Sequence, residues 1–172
     1  MYNGFKVRHQ IPLFGSLLVG GANNYEVTTC DIAKSELPSV LCWIMCDNND
    51  LKRVEYVKNS WTRFCDKVLF LSSVSDHAFP TIGLNVSSGR THVASKAKAA
   101  WKYIYSHYID QFDYFFKADP DTYAILRHMK AYLKRRNASQ PEYMGHSFML
   151  PDNKTRYHSG GPGESNGKTY SE

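Results

Sequence analysis

Uninterrupted apolar runs alternate along this chain with stretches whose apolar residues recur every three or four positions. Val40-Leu41-Cys42-Trp43-Ile44-Met45 is of the first kind and predicts a strand buried on both faces. Leu51, Val54, Val57, Trp61 and Phe64 follow at helical spacing and predict a helix over 51–64. Val68 to Leu71 reads as a second strand, followed by a polar loop containing Gly and Ser. Val93, Ala97, Trp101, Ile104 and Tyr108 share one face of a helix predicted over 92–108. Tyr114 to Phe116 predicts a short buried strand, Ile125, Met129 and Leu133 a helix over 122–136, and Tyr143 to Leu150 a further strand. Strands separated by helices imply an α/β fold with a mostly parallel sheet, whose ligands gather at the carboxyl ends of the strands.

One strand end carries candidate chemistry. The run through Phe116 continues as Lys117-Ala118-Asp119-Pro120-Asp121-Thr122-Tyr123. In extended backbone, side chains at i and i+2 point the same way, and Pro120 biases Asp119 toward extended geometry, so the sequence predicts two convergent carboxylates. Such oxygen ligands suit Mn²⁺ or Mg²⁺ held jointly with a diphosphate. The alternative is a solvated turn with side-chain-to-backbone hydrogen bonds.

At 172 residues, 42% hydrophobic and 14% aromatic, the chain has material for about one ordinary domain. Its charge of +5 comes from scattered Lys and Arg with one cluster, Lys134-Arg135-Arg136, read as a solvated helix end and not as a nucleic-acid surface. A basic surface suits a nucleotide diphosphate or an acidic glycoprotein equally well.

Lys6, Arg8 and His9 precede the uncharged stretch Ile11 to Ala22. That stretch is shorter than the roughly 17–25 residues of a spanning helix and matches the core of a signal peptide. It is expected to be a secretory signal or short signal anchor, with an ordinary buried segment as the alternative. Sequons at Asn85, Asn137 and Asn153 would be glycosylated only in the secretory lumen, which favours the endoplasmic reticulum or Golgi. Cys30, Cys42, Cys46 and Cys65 lack zinc-ligand spacing. If the strands after Val40 and Lys67 are parallel neighbours, Cys42 and Cys65 lie near the same sheet edge, and Cys42–Cys65 is the expected disulfide.

Six blocks in order carry a family resemblance: Val40 to Met45, Val57-Lys58-Asn59-Ser60-Trp61, Cys65 to Phe70, Gly89-Arg90, Phe116 to Tyr123, and Tyr157-His158-Ser159-Gly160-Gly161-Pro162-Gly163. From about Ser39 to Gly163 the chain resembles the core 1 β1,3-galactosyltransferases, Golgi enzymes of the GT-A (Rossmann-like) fold. The resemblance implies inverting transfer of galactose from UDP-galactose to the 3-hydroxyl of N-acetylgalactosamine on Ser- or Thr-linked glycoproteins, with Mn²⁺ as cofactor. It implies metal ligation by Asp121, and by Asp119 directly or through water and the ribose. Met45, Arg90, Lys96, Lys117 and Asp119 would bind the donor nucleotide, and Gly160 and Gly161, after Ser159, would let backbone approach the donor sugar. Trp43, Trp61 and Trp101 are read as core.

The expected organisation is a signal or stem over 1–38, a donor-binding domain over 39–163 and a polar tail over 164–172, with the GT-A sheet incomplete at its C-terminus. The family is anchored in the membrane as single-pass type II proteins, and a homodimer or a chaperone is a candidate partner. Two departures stand out. Pro120 occupies a position where the family commonly has Asp, and the family's distal segment, with an acidic base and most acceptor contacts, has no counterpart here. The catalytic base is therefore unassigned, Asp152 and Glu164 being the carboxylates nearby. The alternative function is an inactive relative that binds a nucleotide sugar, or a partner or chaperone of a full-length transferase.

Overall fold

A computed structural model describes residues 36–47, 50–152, 154–158 and 163–167, all within one compact unit, Ile32–Glu172. The segment 11–22, Cys30, Asn153 and the residues 159–162 lie outside the described residues. Among the described residues no helix is long and apolar enough to cross a membrane.

The apolar runs form strands β1 (Val40–Met45), β2 (Lys67–Ser72) and β4 (Tyr114–Ala118), and a three-residue strand β3 (Thr81–Gly83) lies between β2 and the long helix. The helices are α1 (Leu51–Asn59), α2 (Val93–Tyr108) and α3 (Leu126–Leu133). Four short strands follow: β5 (Tyr143–Gly145), β6 (Ser147–Met149), β7 (Arg156–His158) and β8 (Glu164–Gly167). The main sheet is six-stranded in the order β3-β2-β1-β4-β8-β5, while β6 and β7 pair separately. β1 is parallel to both β2 and β4, and β8 runs antiparallel between β4 and β5. This is the mostly parallel α/β sheet that the alternation predicts, in keeping with the GT-A-type fold that the resemblance implies.

Both faces of the central strands are covered, as their unbroken apolar character requires. Val40, Cys42, Ile44, Tyr114, Phe116 and Ala118 share one core with Val54 and Val57 of α1, Trp61 just after it, and Leu126 and Leu133 of α3. Leu41, Trp43, Leu69, Leu71 and Phe115 pack against α2 through Ala100 and Ile104. Each large apolar side chain so buried contributes about 1.5–3 kcal/mol relative to exposure. Cys42 and Cys65 are joined on the α1–α3 face by a disulfide spanning 23 residues.

The elements differ from the sequence expectation where side chains compete for backbone. The helix expected over 51–64 breaks at Ser60, whose φ of −108° and ψ of −103° are not helical, and resumes as a 3₁₀ turn, Trp61–Phe64. The Thr62 hydroxyl donates to the Lys58 carbonyl at 2.9 Å and so satisfies an acceptor at the helix end. The helix expected from Thr122 begins only at Leu126, because the preceding residues form a turn described below, and Ile125 is exposed. The strand expected over 143–150 is two strands in two sheets, divided at His146. The tail expected from Glu164 instead enters the sheet, with Ser165 and Asn166 buried between β4 and β5.

Candidate functional site

β1 leads to β2 on one side and β4 lies on the other, so the sheet order reverses between β1 and β4. In parallel sheets that reversal opens a crevice at the carboxyl ends of the two strands. The register Ile44↔Ala118 brings Met45, Cys46 and Asp47 beside Asp119 at that crevice.

Asp119 leaves β4 in a tight turn and not in the extended geometry that the i, i+2 pattern predicts. The Thr122 N–H donates to the Asp119 carbonyl at 3.0 Å, which puts Pro120 and Asp121 at the two central positions of the turn. Pro favours the first of these because its ring presets φ. The Asp119 N–H donates to Thr122 Oγ1 at 3.2 Å, and Trp61 Nε1 donates to the Thr122 carbonyl at 2.8 Å. Trp61, only 1% exposed, thus ties the turn to the core. The extended backbone expected through Asp119-Pro120-Asp121 is corrected: the stretch is a proline turn pinned at Thr122, with Asp119 partly buried and Asp121 exposed.

The predicted donor-binding residues differ in where the structure places them. Lys117 is buried, its ammonium 3.4 Å from Asp119 Oδ1, so a cation stands against the carboxylate. Lys96 reaches the same end of the sheet from α2 but is 5% exposed and ion-paired with Asp47. Met45 is half-buried and packs toward the α2 face. Arg90 is exposed in a 3₁₀ turn, Arg90–His92, reached through Gly89 at φ 108°. Gly160 and Gly161 fall outside the described residues, whereas Gly163 packs directly on the Phe116 ring. Asn85 and Asn137 are exposed.

Sequence reasoning passed over Asp47, Thr122 and the supporting role of Trp61. The signal for Asp47 was the polar exit Asp47-Asn48-Asn49-Asp50 directly after the first strand, at the end where ligands gather. Beneath it, burial pushes the Cys46 thiol up to about 12, the Lys96 ammonium acting in the opposite sense.

No group of three or more His, Cys, Asp or Glu side chains able to hold a metal occurs among the described residues. Among the described residues Asp119 and Asp121 supply carboxylate oxygens at the crevice beside Asp47, whose carboxylate is already paired with Lys96. That set fits a Mn²⁺- or Mg²⁺-sized ion sharing its coordination with phosphate oxygens and water, and falls short of an all-protein cage. Asp152 lies in the connection between β6 and β7, where the N–H groups of Thr155 and Lys154 and the Thr155 hydroxyl hold its carboxyl below the usual range.

A mostly parallel α/β sheet with an acidic turn at its switch point is consistent with the GT-A class of fold. The Fringe-like family profile matches residues 44–171, and the chain belongs to that family. It is 44% identical over 125 residues to the glycoprotein-N-acetylgalactosamine 3-beta-galactosyltransferase 1 of Xenopus laevis. The alignment covers 72% of this chain and 34% of that protein, so the chain spans about a third of the length of the curated relative it matches.

Proposed function

We propose that this chain is the donor-binding part of an inverting galactosyltransferase that uses UDP-galactose and Mn²⁺ to galactosylate the 3-hydroxyl of N-acetylgalactosamine on glycoproteins. The observation that carries this reading is the Asp119-Pro120-Asp121 turn at the carboxyl end of β4, beside that of β1. The name of the 44% identical relative supports the choice of sugar and acceptor.

In this reading Asp121 and Asp119 would hold the metal, together with phosphate oxygens of the donor. A bound divalent ion supplies Lewis-acid stabilisation of the charge that develops on the leaving UDP. Lys117 orients Asp119 and offsets the repulsion between neighbouring anions. The Lys96–Asp47 pair fixes the exit of β1, next to which the base and ribose would lie. The acceptor hydroxyl attacks the anomeric carbon as the bond to UDP breaks, and its proton passes to a base. The same reading assigns the chain to the lumen of the endoplasmic reticulum or Golgi, supported by the Cys42–Cys65 disulfide and the exposure of Asn85 and Asn137.

Calorimetric titration with UDP tests the metal site. Binding is expected with Mn²⁺ and not without it, and Asp121→Ala is expected to remove the difference. Equal affinity with and without Mn²⁺ in the unsubstituted chain would overturn the proposal. Donor choice is read by displacement of bound UDP, with UDP-galactose expected to displace it at lower concentration than UDP-glucose.

A further inference from the structure

β2 pairs with β1 along its length, from Leu41↔Lys67 to Met45↔Leu71, but with β3 only from Phe70↔Thr81 onward. β3 cannot extend back along β2, because the residue before it, Pro80, has no N–H to give to a ladder. Among the described residues the outer edge of 67–69 is therefore open.

Beside that edge lies a groove of about 510 Å³. Val68, Pro80 and Tyr108 contribute to its apolar wall and Lys58, Arg63 and Lys67 to its rim, and among the described residues no carboxylate lines it. All three cations are exposed, and none is in an ion pair among the described residues. They rest over aromatic rings instead. Lys58 Nζ is 4.8 Å from the Phe79 centroid, Arg63 4.9 Å from that of Phe64 and Lys67 Nζ 5.9 Å from that of Tyr108. A cation held this way keeps its N–H groups available to an anion. The groove is at the amino end of β2, whereas Asp119 follows the carboxyl end of β4.

We propose that this groove binds an acidic peptide segment as an added strand on the open edge of β2. An extended peptide uses all three features together. Its backbone pairs with the unfilled edge, and its alternating side chains project to both faces of the sheet. Lys58 and Arg63 belong to the elements over one face and Lys67 leans on Tyr108 from the other, so carboxylates on either side of the added strand meet a cation. A sulfated oligosaccharide would meet the charges but leave the strand edge unused.

The test is fluorescence anisotropy of the 172-residue chain with a short labelled peptide of Glu and Val. The parent peptide is expected to bind. Lys58→Glu, Arg63→Glu and Lys67→Glu combined are expected to weaken binding by ~10-fold or more, as is N-methylation of alternate peptide residues. UDP affinity in the triple variant is expected to stay unchanged, which verifies its fold. The proposal is overturned if the parent peptide does not bind, if the N-methylated or triple-variant pairings bind as tightly, or if a sulfated oligosaccharide displaces the peptide at lower concentration than unlabelled peptide does.

Discussion

Thr122 and Asp119 are bound to each other twice, the Thr122 N–H donating to the Asp119 carbonyl at 3.0 Å and the Asp119 N–H donating to Thr122 Oγ1 at 3.2 Å. One residue therefore fixes the direction in which the acidic turn leaves β4. Thr122→Val keeps the shape of the side chain and removes the hydroxyl acceptor. It is expected to cost about 1–3 kcal/mol, the penalty for stranding a partly buried N–H, and to weaken Mn²⁺-dependent UDP binding. Thr122→Ser should restore both. Urea midpoints and calorimetry on the pair check this, and UDP affinity unchanged in Thr122→Val would show that the turn does not position Asp119.

Trp61 supports the same turn from below. Its Nε1–H donates to the Thr122 carbonyl at 2.8 Å while its ring meets Phe116 edge-on at 6.0 Å between centroids. Trp61→Phe preserves much of the ring contact and leaves that carbonyl without its donor. The expected loss is about 1–3 kcal/mol in urea unfolding, with a fall in UDP affinity that Trp43→Phe, on the α2 face, does not share.

The layered α/β plan was legible because β1 and β4 are buried on both faces, so burial alone writes their sequence as unbroken apolar runs. β3 was not, since three residues carry no period. β8 was hidden for a different reason: its Ser165 and Asn166 look like a solvated tail, and only pairing with β4 and β5 buries them. At the site, composition pointed to Asp119 and Asp121 but supplied the wrong backbone. A proline between two aspartates satisfies both the extended and the turn reading, and the choice was made by Thr122 and Trp61, the latter 61 positions away in sequence. Lys96 was assigned to the donor by the family resemblance, and its ion pair with Asp47 leaves no local signal because the two lie 49 positions apart.

The Cys42–Cys65 link closes a loop over a separation of 23 residues that contains α1 and the 3₁₀ turn bearing Trp61. By loop-closure entropy it is worth about 3 kcal/mol. Cys42→Ala with Cys65→Ala is expected to lower the unfolding free energy by about that amount. Reductant should shift the urea midpoint of the unsubstituted chain and leave that of the double variant unmoved.

Among the described residues Cys46 is the free, buried thiol, its pKa raised by burial from 9.0 to about 12. A raised pKa means that the folded chain retains the proton while the unfolded chain releases it. Stability from this group is complete below pH 9 and declines as pH rises toward about 12. In a Cys30→Ser background, Cys46 is expected to resist a thiol-specific disulfide reagent at pH 8 until denaturant is added. Cys46→Ser should flatten the alkaline fall in stability. Prompt labelling of the native chain at pH 8 would contradict the burial.

Gly163 and Gly89 separate two reasons for glycine. Both have positive φ, 92° and 108°, so a side chain at either position is strained. At Gly89 an added Cβ meets nothing within 4 Å, and Gly89→Ala should cost only the conformational term, about 1–3 kcal/mol. At Gly163 the Cβ would stand 2.5 Å from Phe116 Cζ and 2.7 Å from Cε2, so the ring must move. That ring is buried against Trp61 and has little room to yield. Overpacking adds about 1–3 kcal/mol, and Gly163→Ala is expected to be more destabilising than Gly89→Ala by that difference. Phe116→Leu should narrow the gap when combined with Gly163→Ala and leave the cost of Gly89→Ala unchanged. Equal urea midpoints for the two glycine variants would mean that β8 shifts away from β4 instead of clashing with it, and that Gly163 is required for its φ alone.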